Sequence, residues 1–363
     1  MPIRCETEEK AKRMLGGLAK PPGSLGRLES LCVQLAGIQG VCPPIAPRPR
    51  VVVFAGDHGI TAEKISAYPS AVTLSMIETM RLGKAAVTVL ARQSGADVEV
   101  VNAGASSKDF DKSQALPKGV KFYNEPVQLG TNNFLKTDAM DKKSCKAAIA
   151  LGRAAVRRAK NEGVGLLAIG ELGIGNTTSA SALYCRLLGM SPQQAAGPGT
   201  GLDKTGVQHK VAVLSRALAR TGAKDPFEVL CAFGGYEIAA MAGAMMEAAP
   251  CRIAVLVDGF ISTAAALVAS RMAPECKTCL IPATKSAEPA HGLALRQLDI
   301  GTPLLDWQLR LGEASGATLA IPLVLASVRP LQEMATLAEV LSAGQIKAKN
   351  PTADENKSPN GNP

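Results

Sequence analysis

Glu171 stands in Gly170-Glu171-Leu172-Gly173-Ile174-Gly175-Asn176-Thr177-Thr178, a carboxylate set into a glycine-rich turn. The apolar run at 164–169 before it reads as a buried strand, and Ser179-Ala180-Ser181-Ala182-Leu183 after it opens a helical pattern. Glycines let backbone N–H groups converge on an anion, and a helix N-terminus adds partial positive charge, so the turn suits a phosphate. Its spacing is neither the Walker order nor the dinucleotide fingerprint, and ordinary strand-to-helix punctuation is the competing reading. A second carboxylate, Glu313, lies in Leu309-Arg310-Leu311-Gly312-Glu313-Ala314-Ser315-Gly316-Ala317, before an apolar helix. A solvated surface Glu is the plain alternative. Held partly dry by small and aliphatic neighbours, however, its pKa would rise from about 4.3 and make it a better base. Gly197-Pro198-Gly199-Thr200-Gly201, ahead of a helix starting near Asp203 and carrying Lys204 and Lys210, is a second possible anion cradle. Asp258, at the end of an apolar run, suits a ribose diol or a helix N-cap equally. It lacks the adjacent acidic partner that a magnesium- and pyrophosphate-dependent phosphoribosyl site calls for.

These residues need a scaffold, and the chain supplies an α/β one. Short apolar segments at 51–54, 98–101, 164–169 and 253–257 alternate with helical stretches, a βαβ rhythm whose strands end at Gly or an acidic residue. Such strand ends line the ligand crevice of an open parallel sheet. An acidic-basic helix at about 6–18 runs into Lys20-Pro21-Pro22-Gly23. Ser24 is then expected to cap a second helix with the stripe Leu25, Leu28, Leu31, Leu35 and Ile38. A Pro-rich linker occupies 43–49, and beyond about 290 the pattern is wholly helical. The expected organisation is N-terminal helices over 1–40, an α/β substrate domain over 41–290, helices over 291–346 that complete a small helical domain with the first segment, and a disordered tail over 347–363.

The 363 residues, 47% hydrophobic, suffice for a large core. Aromatics are only 3%, and the net charge of +9 is scattered, so nucleic acid is not an expected partner. Residues 1–20 lack a signal peptide's apolar centre and no apolar run reaches the ~20 residues of a membrane span, which points to the cytoplasm. The nine cysteines read as reduced thiols, and Cys276-Lys277-Thr278-Cys279 lacks the second pair or nearby His that a zinc site needs. With three dispersed histidines, no metal centre is expected.

Five blocks in order carry a family resemblance: Lys20-Pro21-Pro22-Gly23-Ser24-Leu25-Gly26-Arg27-Leu28-Glu29, Asp57-His58-Gly59, the 170–178 turn, Val257-Asp258-Gly259-Phe260 and Arg310-Leu311-Gly312-Glu313-Ala314-Ser315-Gly316. Over about residues 15–345 the chain resembles the nicotinate-nucleotide–dimethylbenzimidazole phosphoribosyltransferases. The resemblance implies a Rossmann-like parallel sheet with flanking helices, a small helical subdomain built from both termini, a homodimer and no cofactor. It implies transfer of phosphoribose from nicotinate mononucleotide to 5,6-dimethylbenzimidazole, with Glu313 as general base and Glu171 assisting. By the same resemblance Gly173, Gly175, Asn176, Thr177, Thr178, Gly197, Gly199 and Lys210 face the phosphate. Asp258 and Ser286 face ribose and nicotinate, Leu172 and Leu311 wall the benzimidazole slot, and Tyr68 and Met76 stand near its rim. The chain departs from its relatives at Met76, at Asn102, where Asp is more frequent, and at Ala314, often Gly. Another acceptor, a purine or a phenol, and a non-catalytic nucleotide-binding module are the alternatives. Retention of both Glu171 and Glu313 argues against the last.

Overall fold

A computed structural model describes residues 2–107, 109–111 and 113–348 of the chain. Six strands, β1 (Arg48–Gly56), β2 (Asp97–Gly104), β3 (Val120–Asn124), β4 (Val164–Leu172), β5 (Ala254–Val257) and β6 (Leu280–Pro282), form one parallel sheet in the order β3-β2-β1-β4-β5-β6. This is the doubly wound order, whose direction of winding reverses between β1 and β4. The Val-, Ile- and Leu-rich cores of β1, β2 and β4 are buried at successive residues, so both faces are covered, as parallel sheets require. Helices Lys142–Asn161 and Tyr236–Cys251 pack on one another, and the latter also crosses β1, β2, β4 and β5.

The four strands expected from apolar runs are present. β3 and β6 carry no such signal, because β3 is a half-buried edge strand with the polar-containing sequence VKFYN and β6 has only three residues. Residues beyond 290 are not wholly helical. Between helices His291–Leu298 and Ser315–Glu333 the chain runs extended beside the end of β6, with Lys285 N–H donating to Leu305 O at 2.9 Å and Leu305 N–H to Ala283 O at 2.9 Å.

The chain divides into two units, 1–46 with 323–363, and 47–322. Residues 291–322, Glu313 among them, thus belong with the α/β body, because the extended segment pairs with β6. In the smaller unit, helices Pro2–Gly16 and Arg27–Gln39 bury Ala11, Leu15, Leu18, Cys32 and Ala36 with Leu331. Ser24 does not cap the second helix, which starts after Gly26 with no side-chain cap. Instead Glu29 accepts Leu25 N–H at 3.1 Å and pairs with Lys20 at 2.8 Å, a charged bond that replaces the weaker hydroxyl cap. Helix Leu337–Ala348 includes the first two residues of the expected tail, and 349–363 lie outside the described residues. No helix among the described residues is long and apolar enough to cross a membrane.

Candidate active site

The sheet reverses at the carboxyl ends of β1 and β4, and the acidic residues gather there. Register pairs Phe54 with Glu171 and Ile169 with Val257, which sets Glu171 and Asp258 at adjacent strand ends. Glu313 arrives from far along the chain on a turn in which Gly312, Glu313 and Ala314 have φ of 80°, 60° and 61°. Two consecutive non-glycine residues in the left-handed region cost on the order of 1–2 kcal/mol each, strain that concentrates at functional sites. The turn is held down by Glu313 N–H donating to Glu171 O at 3.2 Å. It can approach only because residue 170 is glycine, since a Cβ there would lie 2.1 Å from Ala314 N.

Burial dominates the electrostatics. Glu313 is 5% exposed, its Oε2 has no hydrogen-bond partner, and desolvation raises its pKa to about 7. Glu171 is pushed up to about 8, first by burial and then by the charges of Glu237 and Asp258, against the opposing donation of Asn176 Nδ2 to its Oε2. Asp258 rises to about 7 by burial, although Ala317 N–H donates to its Oδ1 at 2.8 Å. One carboxylate oxygen of Asp258 thus serves the first turn of the distant helix Ser315–Glu333, and not the helix Phe260–Met272 that follows it, which starts after Gly259 with no side-chain cap. Near neutrality these groups sit between their acid and base forms, the condition in which a carboxyl exchanges protons most effectively.

The 173–178 turn leads into helix Asn176–Leu188, with Gly175 at its N-cap and φ 94°. Gly173, Gly175, Asn176, Thr177 and Gly199 border a cavity of about 30 Å³. Lys210, fully buried, reaches it from helix Lys204–Arg220, donating from Nζ to Thr177 Oγ1 at 2.8 Å and Gly197 O at 3.3 Å. Burial lowers its pKa to about 8. Asn176 turns its side chain to Glu171, and Thr178 Oγ1 is buried without a partner. Ser286 is half-buried, its N–H donating to His291 Nδ1 at 2.9 Å. Leu172 is buried, Met76 half-buried, and Tyr68 and Leu311 are exposed. Asn102 is spent locally, on Ala105 N–H, Ser107 O and Asn124 Oδ1. A wider cleft of about 870 Å³, lined by Asp138, Asp141, Asp225 and Cys231 among others, contains none of these residues, and the buried carboxylates outweigh its size in locating chemistry.

Sequence reasoning missed a buried chain beneath the site: Glu237 Oε1 lies 2.6 Å from His58 Nε2, and Ser179 Oγ 2.9 Å from His58 Nδ1. All three are inaccessible, so this is no nucleophilic triad but an internal support. Only Gly234-Gly235 ahead of a helix could have pointed to Glu237. Glu288 was missed as well. It stands between Ala287 and Pro289 with no spacing signal, yet it is buried against Gly199.

A phosphoribosyltransferase family model matches residues 1–341. A nicotinate-nucleotide–dimethylbenzimidazole phosphoribosyltransferase of Pseudomonas putida KT2440 is 45% identical over 344 residues, 94% of this chain and 96% of that protein. One of the same name from Pseudomonas aeruginosa PAO1 is 48% identical over 324 residues, covering 89% and 90%. The crystal structure of CobT from Thermus thermophilus superposes with a TM-score of 0.87 at 40% identity, covering 92% of this chain and 98% of that one.

Proposed function

Because the chain belongs to the nicotinate-nucleotide–dimethylbenzimidazole phosphoribosyltransferase family, we propose that it transfers phosphoribose from nicotinate mononucleotide to 5,6-dimethylbenzimidazole with Glu313 as the general base. The observation that carries the assignment of the base is the buried, unpartnered Oε2 of Glu313 in a strained turn at the point where the sheet reverses. Nicotinate leaves from a glycosyl-pyridinium that is already cationic, so its departure requires no proton donor. One benzimidazole nitrogen attacks the anomeric carbon while the other loses its proton to Glu313, through an oxocarbenium-like state. Attack opposite the leaving group inverts β to α, and the product is α-ribazole 5′-phosphate. Glu171, protonated for the most part at neutral pH, adds little negative charge of its own and supports the turn that bears Glu313. The phosphate lies against residues 173–178 with Gly197, Gly199 and Lys210, and the ribose and nicotinate against Asp258 and Ser286. Leu172 and Leu311 wall the base slot, with Tyr68 and Met76 at its rim.

Purified protein with nicotinate mononucleotide, dimethylbenzimidazole and a chelator, and no added metal, is expected to release nicotinate and yield a product of the mass of α-ribazole 5′-phosphate. A product that appears only with magnesium and phosphoribosyl pyrophosphate would overturn the donor assignment, and preference for a purine or phenol in competition would overturn the acceptor. The partner is a second copy of the chain. The apolar residues Leu337, Val340 and Leu341 stand 51%, 48% and 58% exposed on one short helix, and a homodimer would bury them. Light scattering should give twice 37.5 kDa, and a monomer at micromolar concentration would count against it. The free cysteines suit a reducing cytoplasm.

A further inference from the structure

The cradle assigned to the phosphate already holds a carboxyl group belonging to the chain. Glu288, 8% exposed, accepts Gly199 N–H on Oε1 at 2.8 Å, while its Oε2 is buried with no partner. The 197–199 turn closes directly on that oxygen, since a Cβ on Gly197 would lie 2.0 Å from it. A phosphate drawn to Thr177 and Lys210 beside this turn therefore meets a buried carboxyl oxygen. Two facing anions repel strongly there, whereas one hydrogen between them makes a short charge-assisted bond.

We propose that Glu288 binds the donor's phosphate monoester through one shared proton on Oε2, carried either as the carboxyl O–H or as the P–O–H of the phosphate monoanion. This rests on the phosphate assignment above. The complex contains one hydrogen more than ionised Glu288 plus the phosphate dianion, and solvent supplies it. Burial raises the Glu288 carboxyl, opposed by Lys210 and by the Gly199 N–H, and a phosphate monoester loses its second proton near pH 6, so such a proton is available near neutrality. The other groups nearby are the N-terminus of helix Asn176–Leu188, Lys210 from its own helix, and His291. The last, held at about 4 by burial with both ring nitrogens bonded, stays neutral throughout.

The test is calorimetric titration of the full-length protein with nicotinate mononucleotide at pH 8, in buffers of different ionisation enthalpy. Glu288→Gln preserves the shape and donates without titrating. The wild type should take up more protons per bound nucleotide than Glu288→Gln, by up to one, with Lys210 contributing to both. The nucleoside lacking the phosphate should show no such difference. Equal proton uptake by wild type and Glu288→Gln overturns the shared proton while leaving the phosphate site intact. Lys210→Met should weaken nucleotide binding about tenfold or more. If it does not, the phosphate lies elsewhere and the underlying assignment is what fails.

Discussion

Replacing Glu313 with Gln should lower turnover by ~10²- to 10⁴-fold, the range of general-base catalysis, while nicotinate mononucleotide still binds. Gln fills the same volume in the left-handed turn but cannot take the benzimidazole proton, and the 173–178 turn and Lys210, proposed to hold the phosphate, do not involve it. Nicotinate release measured against pH should show, in the wild type, an acid limb near pH 7 as Glu313 protonates, and Glu313→Gln should lose that limb. Near-normal turnover in the variant would remove Glu313 from the role. Stability supplies an independent reading. A carboxyl whose folded pKa is raised from 4.5 to about 7 carries more protons folded than unfolded, so its stabilising contribution is complete below pH 4.5 and is lost as pH rises through 7. At pH 8 the ionised Glu313 costs on the order of 3 kcal/mol. Glu313→Gln should therefore unfold at higher temperature than the wild type at pH 8, and the gap should close towards pH 4.5.

Gly170→Ala should damage both stability and catalysis although it touches no substrate. Its Cβ would come within 2.1 Å of Ala314 N and 2.5 Å of Ala314 Cα, and backbone atoms in a buried turn cannot give way cheaply. Overpacking of this kind costs about 1–3 kcal/mol. Relief has to come from lifting the 312–314 turn off β4, which lengthens the Glu313 N–H to Glu171 O bond and moves the base. A displacement near 1 Å costs roughly 10²-fold in rate. Gly222→Ala, where an added Cβ meets nothing within 4 Å, is the control and should behave as wild type in urea unfolding and turnover. A fully active, fully stable Gly170→Ala protein would show that the turn is not clamped as described.

The central strands were legible because residues buried on both faces leave unbroken apolar runs, as at 51–54 and 164–169. β3 and β6 were not legible, because an edge strand and a three-residue strand need no such run. The 170–178 turn was read correctly as a strand-to-helix junction, and the dryness of Glu313 was anticipated from its small and aliphatic neighbours. The expected cap at Ser24 failed because a half-buried ion pair at Glu29, invisible in local spacing, took over the turn. The link from Glu237 through His58 to Ser179 is invisible in the sequence for a stronger reason: His58 and Glu237 stand 179 residues apart, and no periodicity links them.

By itself the sequence determined the four central strands and their alternation with helices, the placement of acidic residues beside glycines at strand ends, and the five blocks that mark the family. All of these are local, set by side-chain period and by which backbone angles glycine allows. Tertiary structure alone decided that Glu171, Glu237, Asp258 and Glu313 are buried close together, that Asn176 serves a carboxylate, and that Glu288 faces the 197–199 turn. Protonation energies depend on solvent exclusion and on distances of a few ångströms between atoms, and linear spacing along a chain sets neither.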